Sequence, residues 1–326
     1  MDIFGWIQEL AELVTFQWLH LEPGSYVGEA TNFFIYDVIK IGLLLVVINY
    51  VMAIVRYYFP MEKVREVLAR RRWYGLDYLL AAGLGAITPF CSCSSIPLFI
   101  GFVGAGIPLG VTFAFLISSP LVNEASLYLF PAMFGLKITL LYNAVGIIIA
   151  VLGGMLIHRL GAEKYVRQEL LQFGARGRFE DSGAGKRISA SALAARFWSD
   201  GMAITRQVFP YVVIGVALGA VIHGFVPADL AEQYLASRAW WTVPLATVLG
   251  APLYANSVSV IPVMEALAGK GVPLGTALAF MTAIVTISIP EGLILKKVMR
   301  WQLLALFFGI TTVGIMAMGY FINWVT

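Results

Sequence analysis

Eight apolar stretches dominate this chain, at about 34–58, 77–103, 107–131, 134–158, 203–225, 240–268, 272–295 and 301–324. Several exceed the roughly 18–20 residues that carry a helix across a bilayer. Inside lipid every backbone N–H and C=O must find its partner within the protein, so these stretches are expected to be helices. Only 13% of the 326 residues are charged and 60% are hydrophobic, against about a quarter charged in a soluble domain. The chain therefore reads as an all-α polytopic integral membrane protein. A net charge of +3 gives no sign of a nucleic-acid surface. The two cysteines, one residue apart, make no disulfide framework.

The opening segment, MDIFGWIQELAELVTFQWLH, differs from the rest. Ile3, Phe4, Ile7, Leu10, Leu13 and Val14 recur at helical spacing, while Asp2, Gln8, Glu9 and Glu12 take other faces. Residues 1–32 are expected to hold an amphipathic helix along the membrane surface, with Trp6 and Trp18 at the interface. No Lys or Arg precedes Lys40, so the segment lacks the basic region of a signal peptide.

Basic residues orient the spans. Arg56, Lys63, Arg65, Arg70, Arg71 and Arg72 follow the first. Arg159, Lys164, Arg167, Arg176, Arg178, Lys186, Arg187, Arg196 and Arg206 follow the fourth. Both loops read as cytoplasmic, yet three apolar stretches separate them, and an odd number of crossings would put them on opposite sides. One stretch must turn back. The candidate is 77–103, which Pro89 and Pro97 interrupt around TPFCSCSSIP, because proline removes a backbone donor and clashes with the preceding turn. It is read as a re-entrant hairpin. Non-helical backbone at that depth is tolerated only inside protein or beside a water-filled cavity, so the turn at Cys91–Ser95 should face a solute path.

The second half reads in the same way. Pro252 and Pro262 break 240–268 around LYANSVSVI, and Lys296, Lys297 and Arg300 mark a cytoplasmic loop. GIPLGVTFAF (Gly106 to Phe115) matches GVPLGTALAF (Gly271 to Phe280), an offset near 165 residues. The expected organisation is an interfacial helix (1–32), repeat one (33–158), a basic cytoplasmic linker (159–202) and repeat two (203–326). Each repeat has three spanning helices and one re-entrant helical hairpin, in inverted topology, which places both termini outside. Inverted repeats with broken helices near the midplane are a transporter design. The GAGKR of the linker lacks the glycine and Ser/Thr of a phosphate loop, and no cofactor is expected.

Pro97 and Pro262 suit the first turn of a helix, so each returning half-helix would aim its unpaired N–H groups and positive dipole end at the path. Ser92, Ser94, Ser95, Asn123, Asn256, Ser257 and Ser259 can cap those ends or hold a solute. The plainer reading is that they only satisfy broken backbone. Cys91 and Cys93 either pack as small hydrophobes or offer two soft sulfur ligands, to a metal ion that takes further ligands elsewhere or to a species that needs only two. A trivalent arsenical with one carbon substituent is such a species.

TPFCSCSSIPLF, followed by GIPLG and FLISSPLVNEASL, closely resembles the predicted permease family that includes the organoarsenical efflux permeases. The resemblance covers nearly all of the chain from about residue 34. It implies a polytopic permease of the cell (inner) membrane exporting a thiophilic solute, such as a trivalent arsenical or another metal or metalloid.

Charged groups within spans are costly and invite a functional hypothesis. Glu124 and Glu291, near-equivalent in the two halves and each following a proline (Pro120 or Pro290), are candidates for a proton relay or gate. Asp37 and Lys40, three apart on the first span, are expected to pair. His20, His158 and His223 lie near segment ends, away from the cysteines, which argues against a Cys–His enzyme. Three classes stay open. One is a proton-coupled exporter of a soft solute, and another is a permease for an anion or small solute lined by Ser and Asn. The third is a non-transporting membrane enzyme or assembly subunit. A homo-oligomer is compatible with any of them.

Overall fold

A computed structural model describes residues 5–58, 75–87, 95, 98–99, 102–103, 107–166, 190–225, 239–251, 260, 264, 267 and 271–326. Among these residues the chain forms α1 (Gly5–Glu12), α2 (Tyr26–Tyr58), α3 (Leu76–Ile87), α4 (Leu109–Leu121), α5 (Glu124–Tyr128), α6 (Phe130–Arg159), α7 (Ala190–Phe225), α8 (Thr242–Gly250), α9 (Leu274–Thr286), α10 (Ile289–Val298) and α11 (Trp301–Val325). The protein is helical, as the apolar runs require. Within the described residues α6, α11 and the Tyr26–Val47 part of α2 are long and apolar enough to cross a membrane. The chain divides into two compact units, Met1–Tyr58 with Ile188–Tyr234, and Phe59–Arg187 with Leu235–Thr326.

In the first unit α1 continues into a π-helical turn, Leu13–Trp18. Ile7, Ala11 and Thr15 are buried while Trp6, Leu10, Leu13 and Trp18 are exposed. The buried stripe, at i, i+4 and i+8, packs on the start of α2. There the Gln8 amide donates to Asn32 Oδ1 at 3.3 Å. The segment is thus held by protein on one face and keeps a second apolar face open. Helix α2 begins at Tyr26, earlier than the apolar run at 34, and α7 begins at Ala190, inside the stretch 159–202 expected to be linker. The two helices are antiparallel. Phe209 lies over Gly42, and Trp198 meets Tyr50 edge-on at 6.1 Å. Lys40 donates to the Tyr36 hydroxyl at 3.1 Å and sits over that ring, while Asp37 is buried. Asp37 and Lys40 interact through their opposite charges, as expected.

The second unit holds the elements that matter for the site. Helices α3, α4 and α9 have 12, 13 and 13 residues, about 18–20 Å at 1.5 Å per residue, short of a hydrocarbon core of about 30 Å. Small residues set their packing, since without a hydrophobic drive between helices close backbone approach supplies the attraction. A side chain on Gly110 would stand 2.6 Å from the Gly154 carbonyl oxygen, 2.7 Å from His158 Cβ and 3.1 Å from the Tyr78 ring. Helices α3 and α4 therefore both start at the C-terminal end of α6.

From there α3 runs beside α4 as far as Gly85, where a Cβ would stand 2.7 Å from the Phe115 carbonyl oxygen. The returning limb runs the other way. Ser95 meets Ser119, and Phe99 and Phe102 meet the Phe113 and Phe115 rings at 5.1 and 5.2 Å. The Ile107 N–H then bonds the Phe102 carbonyl at 3.1 Å. Residues 88–94, with Cys91 and Cys93 and the expected re-entrant turn, lie outside the described residues.

The same contacts recur 165 positions later. A Cβ on Gly250 would stand 2.7 Å from the Phe280 carbonyl oxygen, and Gly275 and Gly319 face one another as Gly110 and Gly154 do. The Val272 N–H bonds the Leu267 carbonyl at 3.1 Å. Pro108 and Pro273 adopt φ/ψ of −52/133 and −56/137. Helices α6 and α11 cross antiparallel, for a Cβ on Gly153 would stand 2.9 Å from Ile310 and one on Gly314 would collide with Ile149. Ile149 and Gly314 are themselves 165 apart, so equivalent positions meet at this crossing.

Two expected continuous spans, 107–131 and 272–295, are in fact broken. Helix α4 stops at Leu121, with Val122 at φ −114, ψ 91, and α9 stops at Thr286, with Ile287 at φ −117, ψ 88. The cause is local. Asn123 and Ser288 offer side-chain oxygens to the next helix, which competes with continuation. Pro120 removes a donor from α4, and Pro290 fits the first turn of α10. Helix α6 is interrupted at Gly135, φ 81, where Arg300, 165 residues on, separates α10 from α11.

Candidate functional site

Two features gather in the first half of the second unit, the segment around Ser95 and the break after α4. Ser118 and Ser119 stand at their junction. The Ser118 hydroxyl donates to the Ala82 carbonyl on α3 at 2.7 Å. Ser119 Oγ lies 2.6 Å from Ser95 Oγ on the returning limb. All three serines are buried. Of the residues proposed from sequence, Ser95 is therefore placed against the break. Cys91, Ser92, Cys93, Ser94, Asn256, Ser257 and Ser259 lie outside the described residues.

Asn123 works as a helix cap. Its Oδ1 accepts the Ser126 N–H at 3.0 Å, and Ser126 Oγ lies 2.8 Å from the Asn123 carbonyl, which accepts it, and 2.8 Å from Asn143 Oδ1. Asn143 Nδ2 reaches the Thr139 carbonyl at 2.9 Å. The first break is thus closed by a neutral network reaching from α5 to α6. Glu124 opens α5, and its side chain lies outside the described residues.

The second break is built differently. The Glu291 N–H donates to Ser288 Oγ at 3.3 Å, the Ser-x-x-Glu spacing of a capping box. The Glu291 side chain is buried, 1% exposed. Asn123 and Ser288 correspond at the common offset, so the counterpart of Glu291 is Ser126 and that of Glu124 is Ile289. The near-equivalence of the two glutamates read from sequence is corrected by two positions. Phe308 stands where Asn143 does and packs against Gly292. The Thr286 hydroxyl is fully buried, with no hydrogen-bond partner among the described residues.

Between the halves, Tyr142 Oη lies 2.9 Å from Thr282 Oγ1, which donates to the Leu278 carbonyl at 2.6 Å. The threonine proton is thereby committed, so the tyrosine is the donor. A cavity of about 560 Å³ opens at the start of α8 and α9, lined by Trp240, Thr242, Pro273, Tyr320 and Asn323. There Asn323 Oδ1 accepts the Gly275 N–H at 2.7 Å. Ser118, Ser119, Ser126, Asn143 and Tyr142 escaped the sequence reading. The one signal available was a polar Asn or adjacent serines inside an apolar run.

The model of the family described as predicted permease, ArsP_1, matches residues 26–324. The chain belongs to this predicted permease family. The UPF0718 protein MJ0584 of Methanocaldococcus jannaschii is 20% identical over 297 residues, covering 75% of this chain and 81% of that protein. No solved structure matches. The protein is accordingly a membrane permease. The match takes in both breaks and the α6–α11 crossing.

Proposed function

We propose that the permease is a secondary-active exporter of a thiophilic solute, with a trivalent organoarsenical as the best chemical fit and a soft metal ion or metalloid in the same class. The reading is carried by the course of the chain around its two cysteines. Half-helix α3 and the returning limb begin and end at one end of α6, and Cys91 and Cys93 belong to the segment that joins them. A monosubstituted arsenic(III) dihydroxide offers two exchangeable bonds. Two thiols would form two As–S bonds and release two waters, while the carbon substituent keeps the third bond. Soft sulfur suits arsenic as oxygen ligands do not.

In this proposal the halves are inverted repeats whose hairpins enter from opposite membrane faces. The antiparallel α6–α11 crossing at equivalent residues and the antiparallel α2–α7 pair support it. The loop 56–72, the linker 159–202 and the Lys296–Arg300 segment would share the cytoplasmic face. The Arg300 N–H donating to the Tyr165 carbonyl at 2.9 Å supports the last two. Ser92, Ser94, Ser95, Asn256, Ser257 and Ser259 would line the path, with Asn123 shaping it as a cap. Proton exchange through Glu124 and Glu291 would drive export.

The test is accumulation of a trivalent aryl arsenical in everted vesicles. Wild type should accumulate it, whereas Cys91→Ala and Cys93→Ala should each fall to background. Unchanged accumulation in both variants would remove the thiol chemistry. Counterflow of an oxyanion in its place would make the serine-lined permease the better account.

A further inference from the structure

Within the first unit, α2 and α7 leave a groove of about 490 Å³ between them, a size that takes a small ligand. Val38, Leu43 and Val46 line it from α2, and Met202, Phe209 and Pro210 from α7. One lining residue is charged. Arg206 is exposed there, and a cation on a membrane helix is costly unless it finds a counter-charge. The chain does not supply one. Among the described residues no acid lines the groove, and Arg206 makes no ion pair. Of the acids on α2, Asp37 interacts with Lys40 and Glu29 accepts the Gly24 N–H at 3.2 Å.

Pro210, inside α7, adds a second polar site. In a regular helix the N–H at 210 would bond the carbonyl of Arg206, and proline has no N–H to give. Hydrocarbon alone satisfies neither a backbone oxygen nor a guanidinium. An amphiphile with an anionic headgroup answers both needs. Its phosphate accepts two parallel bonds from the guanidinium, and its chain covers the apolar lining. Helical side chains lean toward the N-terminus of their helix, which takes Arg206 toward the Met202 end of the groove. A chain anchored there would run past Phe209 toward Val38.

We propose that the α2–α7 groove is a phospholipid site, in which an anionic phospholipid lays one acyl chain and sets its phosphate on Arg206. Basic pockets between membrane helices bind anionic headgroups in this way. The site does not depend on which solute the permease carries, and only its assignment to the cytoplasmic leaflet rests on the proposed orientation.

The experiment titrates the full-length protein, in a neutral detergent, with dioleoyl phosphatidylglycerol, dioleoyl phosphatidylcholine or inorganic phosphate. Native mass spectrometry reads occupancy, and thermal melts read the stabilisation that binding to the folded state confers. Wild type should hold phosphatidylglycerol roughly tenfold more tightly than phosphatidylcholine, the worth of one charge-assisted contact. Arg206→Gln should lose that preference. Arg206→Lys should recover part of it, because an ammonium keeps the charge without the paired geometry. Leu43→Trp, which fills the groove and leaves Arg206 in place, should weaken both lipids. If Arg206→Gln elutes as an aggregate, Arg206→Lys and Leu43→Trp carry the test.

Equal phosphatidylglycerol affinity in wild type and folded Arg206→Gln overturns the proposal. Displacement of the lipid by inorganic phosphate at matched concentration also does so, since it marks a bare anion site. A lipid-free dimer that Arg206→Gln dissociates overturns it as well, by putting a second copy in the groove. A preference that vanishes in Arg206→Gln and binding that falls in Leu43→Trp sustain it, whether or not the protein transports an arsenical.

Discussion

Gly154 illustrates how single atoms set this fold. A Cβ there would collide with the Gly110 carbonyl and lie 3.0 Å from Ala114 Cβ, whereas a Cβ on Gly309 would meet nothing within 4 Å. Gly154→Ala should therefore lower stability by about 1–3 kcal/mol through forced separation of α4 and α6, while Gly309→Ala should be neutral or slightly stabilising. Thermal melts of both variants in one detergent would show the contrast, and equal melting temperatures would refute it. At this scale the sequence was only partly legible. Cys91, Asn123 and Glu291 drew attention as polar groups in apolar runs. Ser118 and Asn143 did not, because their partners Ala82 and Ser126 lie 36 and 17 residues away in the chain.

At the scale of elements, the breaks after α4 and α9 carry the same backbone geometry yet different chemistry. Asn123 sits in a satisfied neutral network, and Ser288 caps a helix whose third residue is a buried acid. Removing the Ser288 hydroxyl should cost about 1 kcal/mol, as loss of an N-cap does. It should also lengthen α9 toward α10, read as slower amide exchange at Ile287 and Ser288. Faster exchange there would contradict the capping role. Sequence reading ran 107–131 and 272–295 through as single spans. The polar residues at each break, Asn123 and Glu124 or Ser288 and Glu291, are few beside the apolar residues around them, so the overall length of an apolar run hides the interruption. The cap that causes it is visible only when a side-chain oxygen is seen on the next helix.

For the whole molecule, the inverted arrangement predicts sidedness. Single cysteines in place of Lys63, Lys164 and Lys296, in a chain lacking Cys91 and Cys93, should all label from the cytoplasmic face of oriented vesicles, and one in place of Trp240 should label from the other. Labelling of positions 63 and 164 from opposite faces would end the proposal. The sequence alone determined that this is a helical membrane protein of two related halves, because apolar run length, proline position and the 165-residue echo are local, one-dimensional signals. It could not say that Ile149 packs on its own counterpart region at Gly314, or that Ser118 reaches the Ala82 carbonyl while Ser119 reaches Ser95. Those depend on which surfaces meet, and in lipid that choice is made by close packing of small residues and the pairing of buried polar groups, which only the assembled chain decides.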